Sequence, residues 1–280
     1  MSISRRRFLK KTGVGLAGSG LALLGTHQYG THLETEWLEV VPVAIPIAGL
    51  PSQLEGFRIA LLADFHLHPH TRIEFIREAV EAANSLNPDL AILGGDFVQA
   101  RADAIFELAP VLAGLNARHG VFSVLGNHDH WEGAGTVRQG LSQSRLPLLE
   151  NRGISLQHEG ARFYLAGVDD GWSGRPDFQA AMADCPEGIP VLFVSHEPDL
   201  ADRYCRDERI SLQLSGHSHG GQVRLPIYGS PFLPRYGRKY DLGLYRVNQS
   251  WLYTNRGIGV TVPIRINCRP EVTDLTLVRT

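Results

Sequence analysis

The stretch Ile59-Ala60-Leu61-Leu62-Ala63-Asp64-Phe65-His66 is an apolar run followed at once by a carboxylate and an imidazole. A short apolar run of this kind reads as a strand buried on both faces. The same grammar recurs along the chain. Leu90 to Leu93 leads into Gly94-Gly95-Asp96, and Val121 to Leu125 into Gly126-Asn127-His128-Asp129. Val191 to Val194 leads into Ser195-His196, and Leu212 to Leu214 into Gly216-His217-Ser218-His219. Strands that end together deliver their next residues to one rim of a sheet, where open α/β sheets place ligands. Here the rim would collect Asp, Asn and His side chains, a ligand set suited to divalent transition metals.

Between those runs, helix-like and strand-like segments alternate, which predicts an α/β layered fold. Thr71-Arg72-Ile73-Glu74 reads as a capping box, the pattern that satisfies free amides at a helix start. The helix is expected to reach about Ser85, with Ile73, Phe75, Ile76, Val80 and Ala83 as its apolar positions, and to end at Asn87-Pro88-Asp89. A second helix is expected from Ala102 to Ala117, with Ile105, Phe106, Leu108, Leu112 and Leu115 facing inward. After about Ile210, Val223 to Leu225, Gly243 to Val247, Trp251 to Thr254 and Val272 to Leu277 look like strands of another sheet. The predicted architecture is α/β (α+β layered). It is a four-layer double β-sandwich flanked by helices, in a single domain over residues 31–280.

The 280 residues are 43% hydrophobic, enough for an ordinary core, and the formal net charge of -2 gives no electrostatic case for nucleic-acid binding. Arg235, Arg238 and Lys239 form a local basic cluster, either a solvated loop or a contact to an anionic substrate. Cys185, Cys205 and Cys268 are too few and too widely spaced for a disulfide framework and are expected as buried thiols.

Residues 1–30 form a separate unit, an export signal or N-terminal anchor. Ser4-Arg5-Arg6-Arg7-Phe8-Leu9-Lys10 precedes a Gly-rich apolar stretch from Thr12 to Gly25. A basic head before an apolar segment is an export pattern, and paired Arg marks the twin-arginine route. The apolar run falls short of the roughly 20 residues of a membrane span. The expected partners are therefore the twin-arginine export machinery and, through the N-terminus, a peripheral membrane contact. The expected location is the periplasm or the outer face of the cytoplasmic membrane. That route carries folded proteins, so a metal site could be filled before export.

The residues of the rim suit two ions. Asp64 and His66 alternate along an extended backbone, so a turn is needed to aim both at one ion. Asp96 follows two glycines, which allow close backbone approach, and its two oxygens could bridge. Asn127 offers a carbonyl oxygen, and His196, His217 and His219 offer ring nitrogens. This mixed oxygen and nitrogen set fits Mn, and also Fe or Zn, better than Ca or Mg. Two divalent ions roughly 3.5–4 Å apart share a hydroxide nucleophile and bind phosphoryl oxygens. A metal-dependent phosphoesterase is the expected activity, with a phosphodiester substrate.

At this point the chain resembles the calcineurin-like metallophosphoesterase superfamily, whose motifs stand in the same order from about Leu54 to Leu277. Within it, the chain looks most like exported, twin-arginine-type phosphodiesterases, because of Gly216-His217-Ser218-His219-Gly220-Gly221-Gln222 and the ending Pro263-Ile264-Arg265-Ile266-Asn267-Cys268-Arg269-Pro270-Glu271. The resemblance implies that Asp64, His66, Asp96 and His219 hold one metal, and that Asp96, Asn127, His196 and His217 hold the other. It implies that His128 is the catalytic histidine, giving a hydrogen bond or proton to the phosphate or leaving oxygen, and that Asp129 orients it. The position of His68 is often Gly in the family. His68, His70 and His130 are expected as surface or supporting histidines, and Trp131 and Trp172 as core or rim packing.

Two further readings compete. One is a pyrophosphatase acting on a lipid-linked nucleotide sugar of the UDP-2,3-diacylglucosamine type, which an apolar groove beside the metals would favour. The other is a non-catalytic metal-binding scaffold, which predicts missing ligands, whereas all are present. An amidohydrolase barrel, suggested by His66-Leu67-His68, would need eight βα units and leaves Gly126-Asn127-His128-Asp129 unexplained. Substrate choice is expected to lie in the loops Glu132 to Ser144, Asp170 to Asp184 and Pro226 to Asp241.

Overall fold

Ile59 and Leu61 point one way from their strand and Ala60 and Leu62 the other, yet all four are buried. That demands cover on both faces of the sheet. The computed structural model, which describes residues 23–280, shows how the cover is built. The twin-arginine pattern lies outside the described residues. Among the described residues no helix is long and apolar enough to cross a membrane.

The strands are β1 (Glu39–Ile47), β2 (Arg58–Leu62), β3 (Leu90–Leu93), β4 (Val121–Ser123), β5 (Arg152–His158), β6 (Ala161–Gly167), β7 (Val191–Val194), β8 (Ile210–Ser215), β9 (Gly243–Val247), β10 (Ser250–Thr254) and β11 (Glu271–Arg279). The helices that concern the site are α1 (Ile73–Ser85), α2 (Ile105–Leu112), α3 (Asn127–Gln143), α4 (Phe178–Met182) and α5 (Ala201–Tyr204). One mixed sheet runs β1-β11-β2-β3-β4 and the other β5-β6-β7-β8-β10-β9. Strands β2, β3 and β4 are parallel, as are β6, β7 and β8.

The two sheets face each other across one core. Ile59, Leu61, Leu90 and Ile92 from the first meet Leu192, Val194, Leu212 and Leu214 from the second. Each such side chain contributes about 2 kcal/mol by leaving water. The alternate residues Ala60, Leu62, Ala91 and Leu93 pack outward on α1 to α3. Val191, Phe193 and Ile210 pack outward on Ala181, Met182, Ala201 and Tyr204 of α4 and α5. The expected two sheets with helices outside are therefore present.

Five local expectations fail for physical reasons. Strand β11 belongs to the first sheet, parallel to β1 and antiparallel to β2, rather than to the sheet of the other late strands. Val223 and Leu225 make isolated bridges to Ile266 and Gly229, because the chain turns at Pro226. Thr71 does not cap α1; its hydroxyl accepts a 3.2 Å bond from the Val260 amide and ties that distant segment down. Helix α2 is shorter than expected, beginning after a 3-10 turn at Ala102–Ala104 and ending at Leu112. Phe106 is 40% exposed, since its neighbour Ile105 takes the inward direction. Cys205 and Cys268 are buried free thiols as expected, while Cys185 is half-buried.

Candidate metal centre

The parallel strands end at one rim, and each delivers its next residues there. Asp64 and His66 follow β2, Asp96 follows β3, and Asn127 opens α3 shortly after β4. From the facing sheet, His196 follows β7, and His217 and His219 follow β8. The turn needed to aim Asp64 and His66 together is present. Both take the left-handed backbone conformation, as do Asp96, His217 and His219 (φ between 43° and 70°). Non-glycine residues held there store strain that the surrounding structure must support, a pattern concentrated at functional sites.

Three overlapping groups of side chains come within metal-binding reach of one another: Asp64, His66 and His219; His66, Asp96 and His128; and Asp96, His196 and His217. The two Nε2 atoms of His66 and His219 are 2.9 Å apart. Asp64 Oδ1 lies 3.6 Å from His219 Nε2. Asp96 Oδ2 lies 3.5 Å from His66 Nε2 and 3.2 Å from His196 Nε2, so one carboxylate oxygen faces both groups. His217 Nδ1 is 3.3 Å from His196 Nε2.

Carbonyl groups set the tautomers on the second side. His196 Nδ1 donates to the Gly94 carbonyl at 2.7 Å, and His217 Nε2 donates to the Arg235 carbonyl at 2.7 Å. Their other nitrogens therefore present lone pairs inward. The Asn127 side-chain oxygen is buried with no hydrogen-bond partner, an arrangement that is costly unless a cation takes it up. The donor set thus fits a pair of divalent ions.

Electrostatics agree for three of the four imidazoles and differ for His196, where burial opposes charge but Asp96 and Asp64 override it and hold the ring well above the usual imidazole range, so an ion must displace its proton. Burial pushes His66 down to about 3 and His217 down to about 4, and lowers His219 well below the usual imidazole range. These rings are neutral near pH 7, as ligands must be. Burial, with the Asp96 charge adding, pushes Asp64 up to about 7. Burial acts against charge on Asp96 too, but His196, His66 and His128 override it and hold that carboxylate well below its ordinary range.

Residues 57–221 match the model of the calcineurin-like phosphoesterase family. The chain belongs to that family. It is 32% identical to the metallophosphoesterase YkuE of Bacillus subtilis strain 168, covering 98% of both chains. It is 33% identical to the phosphodiesterase YaeI of Escherichia coli strain K12, covering 99% of this chain and all of that one. Among solved structures, a 5′-nucleotidase precursor from Thermus thermophilus is similar, with a TM-score of 0.49 and 14% identity over 79% of this chain and 54% of that one.

As a metallophosphoesterase, the chain places its other motif residues as follows. The His128 ring is half-buried at the cavity wall, edge-on to His66 at 4.6 Å and tilted on Trp131 at 4.7 Å. Asp129 does not orient that ring. Its two carboxylate oxygens accept from the amides of Asp96, Phe97, Val98 and Gly126 at 2.8–3.3 Å. It sits in the first turn of α3, where the amide of Gly126, just before the helix, and the amides of the Asp96 loop point at it. Asp129→Asn should therefore destabilise the fold by about 3 kcal/mol, because an amide group would face backbone donors in a buried site. The thermal midpoint should fall by several degrees. An unchanged midpoint with lowered turnover would return Asp129 to the His128 role.

A cavity of about 730 Å³ opens over the ligands. Trp131 and Trp172 stand edge to face at 5.1 Å on its rim, and Trp172 also stands over His217 at 5.9 Å. Of the loops expected to select substrate, Asp170 to Asp184 supplies Trp172, and Pro226 to Asp241 supplies the wall from Ser230 to Pro234 with Arg238. Glu132 to Ser144 is not a loop; it lies almost wholly in α3, where Gly140 lets the helix close on Ile105. Of the basic cluster, Arg238 reaches the cavity, while Lys239 is paired with Asp202. His68 pairs with Glu107 on the surface, and His130 donates to Asp169 at 2.7 Å.

One supporting residue escaped the sequence. Glu197, fully buried beside His196, accepts from the amides of Gly171 and Trp172 at 2.9–3.0 Å and so places the tryptophan. Its signal was a carboxylate directly after a ligand histidine.

Proposed function

We propose that this phosphoester hydrolase is a phosphodiesterase working with two divalent ions, of which Mn is the first candidate. The observation that carries the reading is Asp96 Oδ2, placed within 3.5 Å of ring nitrogens from both groups. In this assignment Asp64, His66, Asp96 and His219 hold one ion, and Asp96, Asn127, His196 and His217 hold the other. The ions, when bound, make a water-derived nucleophile available near neutral pH and offset charge on the phosphoryl oxygens. The chain's own part is orientation and proton supply. His128 lines the cavity beside the ligands, and in this assignment it protonates the departing oxygen. Arg238 lies at the same cavity and offers charge to an anionic substrate. Trp131 and Trp172 stand edge to face on the rim of the same cavity.

Metal-stripped protein supplied with Mn, Fe, Zn or Mg tests this. Hydrolysis of bis-(p-nitrophenyl) phosphate should appear with Mn and exceed that of p-nitrophenyl phosphate. Stoichiometric metal binding without hydrolysis of either ester would favour the scaffold reading instead.

Metal affinity should also depend on pH with a definite sign. Burial holds Asp64 up to about 7, so the metal-free carboxylate gains a proton as pH falls through that value. Binding then weakens by about tenfold per unit below pH 7 for this proton, and the proton that Asp96 and Asp64 hold on His196 adds a dependence of the same sign. Titration calorimetry with Mn at pH 8 and pH 6 would read this; equal affinities would rule it out.

A further inference from the structure

The segment from Leu225 to Arg238 holds apolar side chains in water by a built arrangement. Leu225 and Gly229 exchange backbone hydrogen bonds of 2.8 and 3.0 Å, closing a tip of Pro226, Ile227 and Tyr228. Ile227 is fully exposed and Tyr228 is 86% exposed. Ile227 has φ 73°, a conformation that a β-branched residue adopts only where the structure enforces it. The base of the tip is clamped. The Gln222 amide donates to the Val262 and Ile264 carbonyls, both at 2.8 Å, and its oxygen accepts from the Thr261 amide and hydroxyl. A strained, clamped turn that presents Ile and Tyr to solvent marks a contact surface.

Charge says what the surface meets. Exposed Arg235 and Arg238 follow the tip, and their guanidinium groups donate to the Tyr236 hydroxyl and the Leu233 carbonyl, both neutral acceptors. Apolar side chains beside a tyrosine, on a segment whose two arginine guanidinium groups form no ion pair among the described residues, suit the boundary of an anionic bilayer. Ile enters the acyl region, Tyr rests among headgroups, and Arg meets lipid phosphate. The same segment then continues as Pro231, Phe232, Leu233 and Pro234 along the wall of the cavity over the metal ligands.

We propose that this segment docks the protein on an anionic bilayer, and that the substrate is an amphiphilic phosphodiester presented from that surface. The substrate part rests on the phosphodiesterase reading above. Water would supply the oxygen that joins phosphorus while the P–O bond to one alcohol breaks, and that alcohol leaves with a proton. The apolar tail would lie along the Phe232 side of the cavity and stay in the bilayer.

The test compares the full-length, Mn-loaded protein with its Ile227→Asp/Tyr228→Asp variant, whose changed side chains face solvent. Each is sedimented with vesicles of phosphatidylglycerol and phosphatidylcholine, and with vesicles of phosphatidylcholine alone. Each is assayed on phosphatidyl-p-nitrophenol in the mixed vesicles and on soluble bis-(p-nitrophenyl) phosphate. The parent protein should prefer the anionic vesicles. The variant should lose vesicle binding and vesicle turnover by about tenfold or more, with soluble turnover unchanged. Any N-terminal contribution is common to both proteins, so equal vesicle binding by the two overturns the proposal. So does absence of binding by the parent, including the case where the variant instead alters the oligomeric mass, which would assign the tip to a second copy of the chain. Vesicle binding lost in the variant, with no turnover of either ester by the parent, would leave docking standing and fault the phosphodiesterase reading.

Discussion

Asp96→Asn is expected to remove both ions and lower kcat/KM by about 10³-fold or more, equivalent to at least about 4 kcal/mol of transition-state stabilisation. The carboxylate has three obligations at once. Its Oδ2 faces His66 and His196 at 3.5 and 3.2 Å, and its Oδ1 accepts the His128 amide at 2.8 Å. An Asn keeps one neutral oxygen and turns an NH₂ toward either the imidazoles or the amide. Space allows no rearrangement: even a Cβ on Gly126 would press on Asp96 Oδ1 and lie 2.7 Å from His196 Nε2. Metal analysis of the purified variant would show fewer than two ions per chain. Two tightly held ions with full turnover would exclude Asp96 as the shared ligand.

His128→Ala should behave differently, keeping both ions and losing about 10²–10³-fold in kcat. What Asp96 needs from this residue is the backbone amide, which alanine retains. What the cavity loses is a ring set between His66 and Trp131. If that ring protonates the leaving oxygen, the deficit should grow for an alkyl leaving group, which needs the proton, relative to p-nitrophenolate, which does not. Equal deficits for both would make His128 a phosphate-binding group rather than an acid.

Much of this site was legible because its ligands follow directly on buried strands. Leu90 to Leu93 is apolar on both faces and ends one residue pair before Asp96, so the rim could be placed without knowing the sheet order. Sheet order was not legible: β11 pairs with β1 and β2 from the far end of the chain, and nothing in Val272 to Leu277 distinguishes its partners from β10. The role of Asp129 was hidden for a related reason. The family resemblance implied a partner for the His128 ring, but the first turn of α3 aims the carboxylate backward at amides. Helix α3 itself was hidden by Gly133, where the chain leaves helical geometry (φ 141°) and the helix kinks, and by Gly135 and Gly140, whose weak helical preference packing on α2 overrides. Thr71 shows the same lesson on a smaller scale, since a capping pattern cannot reveal that a hydroxyl has a better partner at Val260.

The ligands come from opposite layers of the sandwich. In the proposed assignment each ion takes side chains from both: Asp64 and His66 with His219, and Asp96 and Asn127 with His196 and His217. The metal pair would then act as a clasp at one end of the molecule, joining sheets whose shared interior is apolar. Catalytic readiness and mechanical integrity become one property. An unloaded chain would be both inactive and loose at that end, and metal supply would govern how long the folded protein survives as well as how fast it turns over.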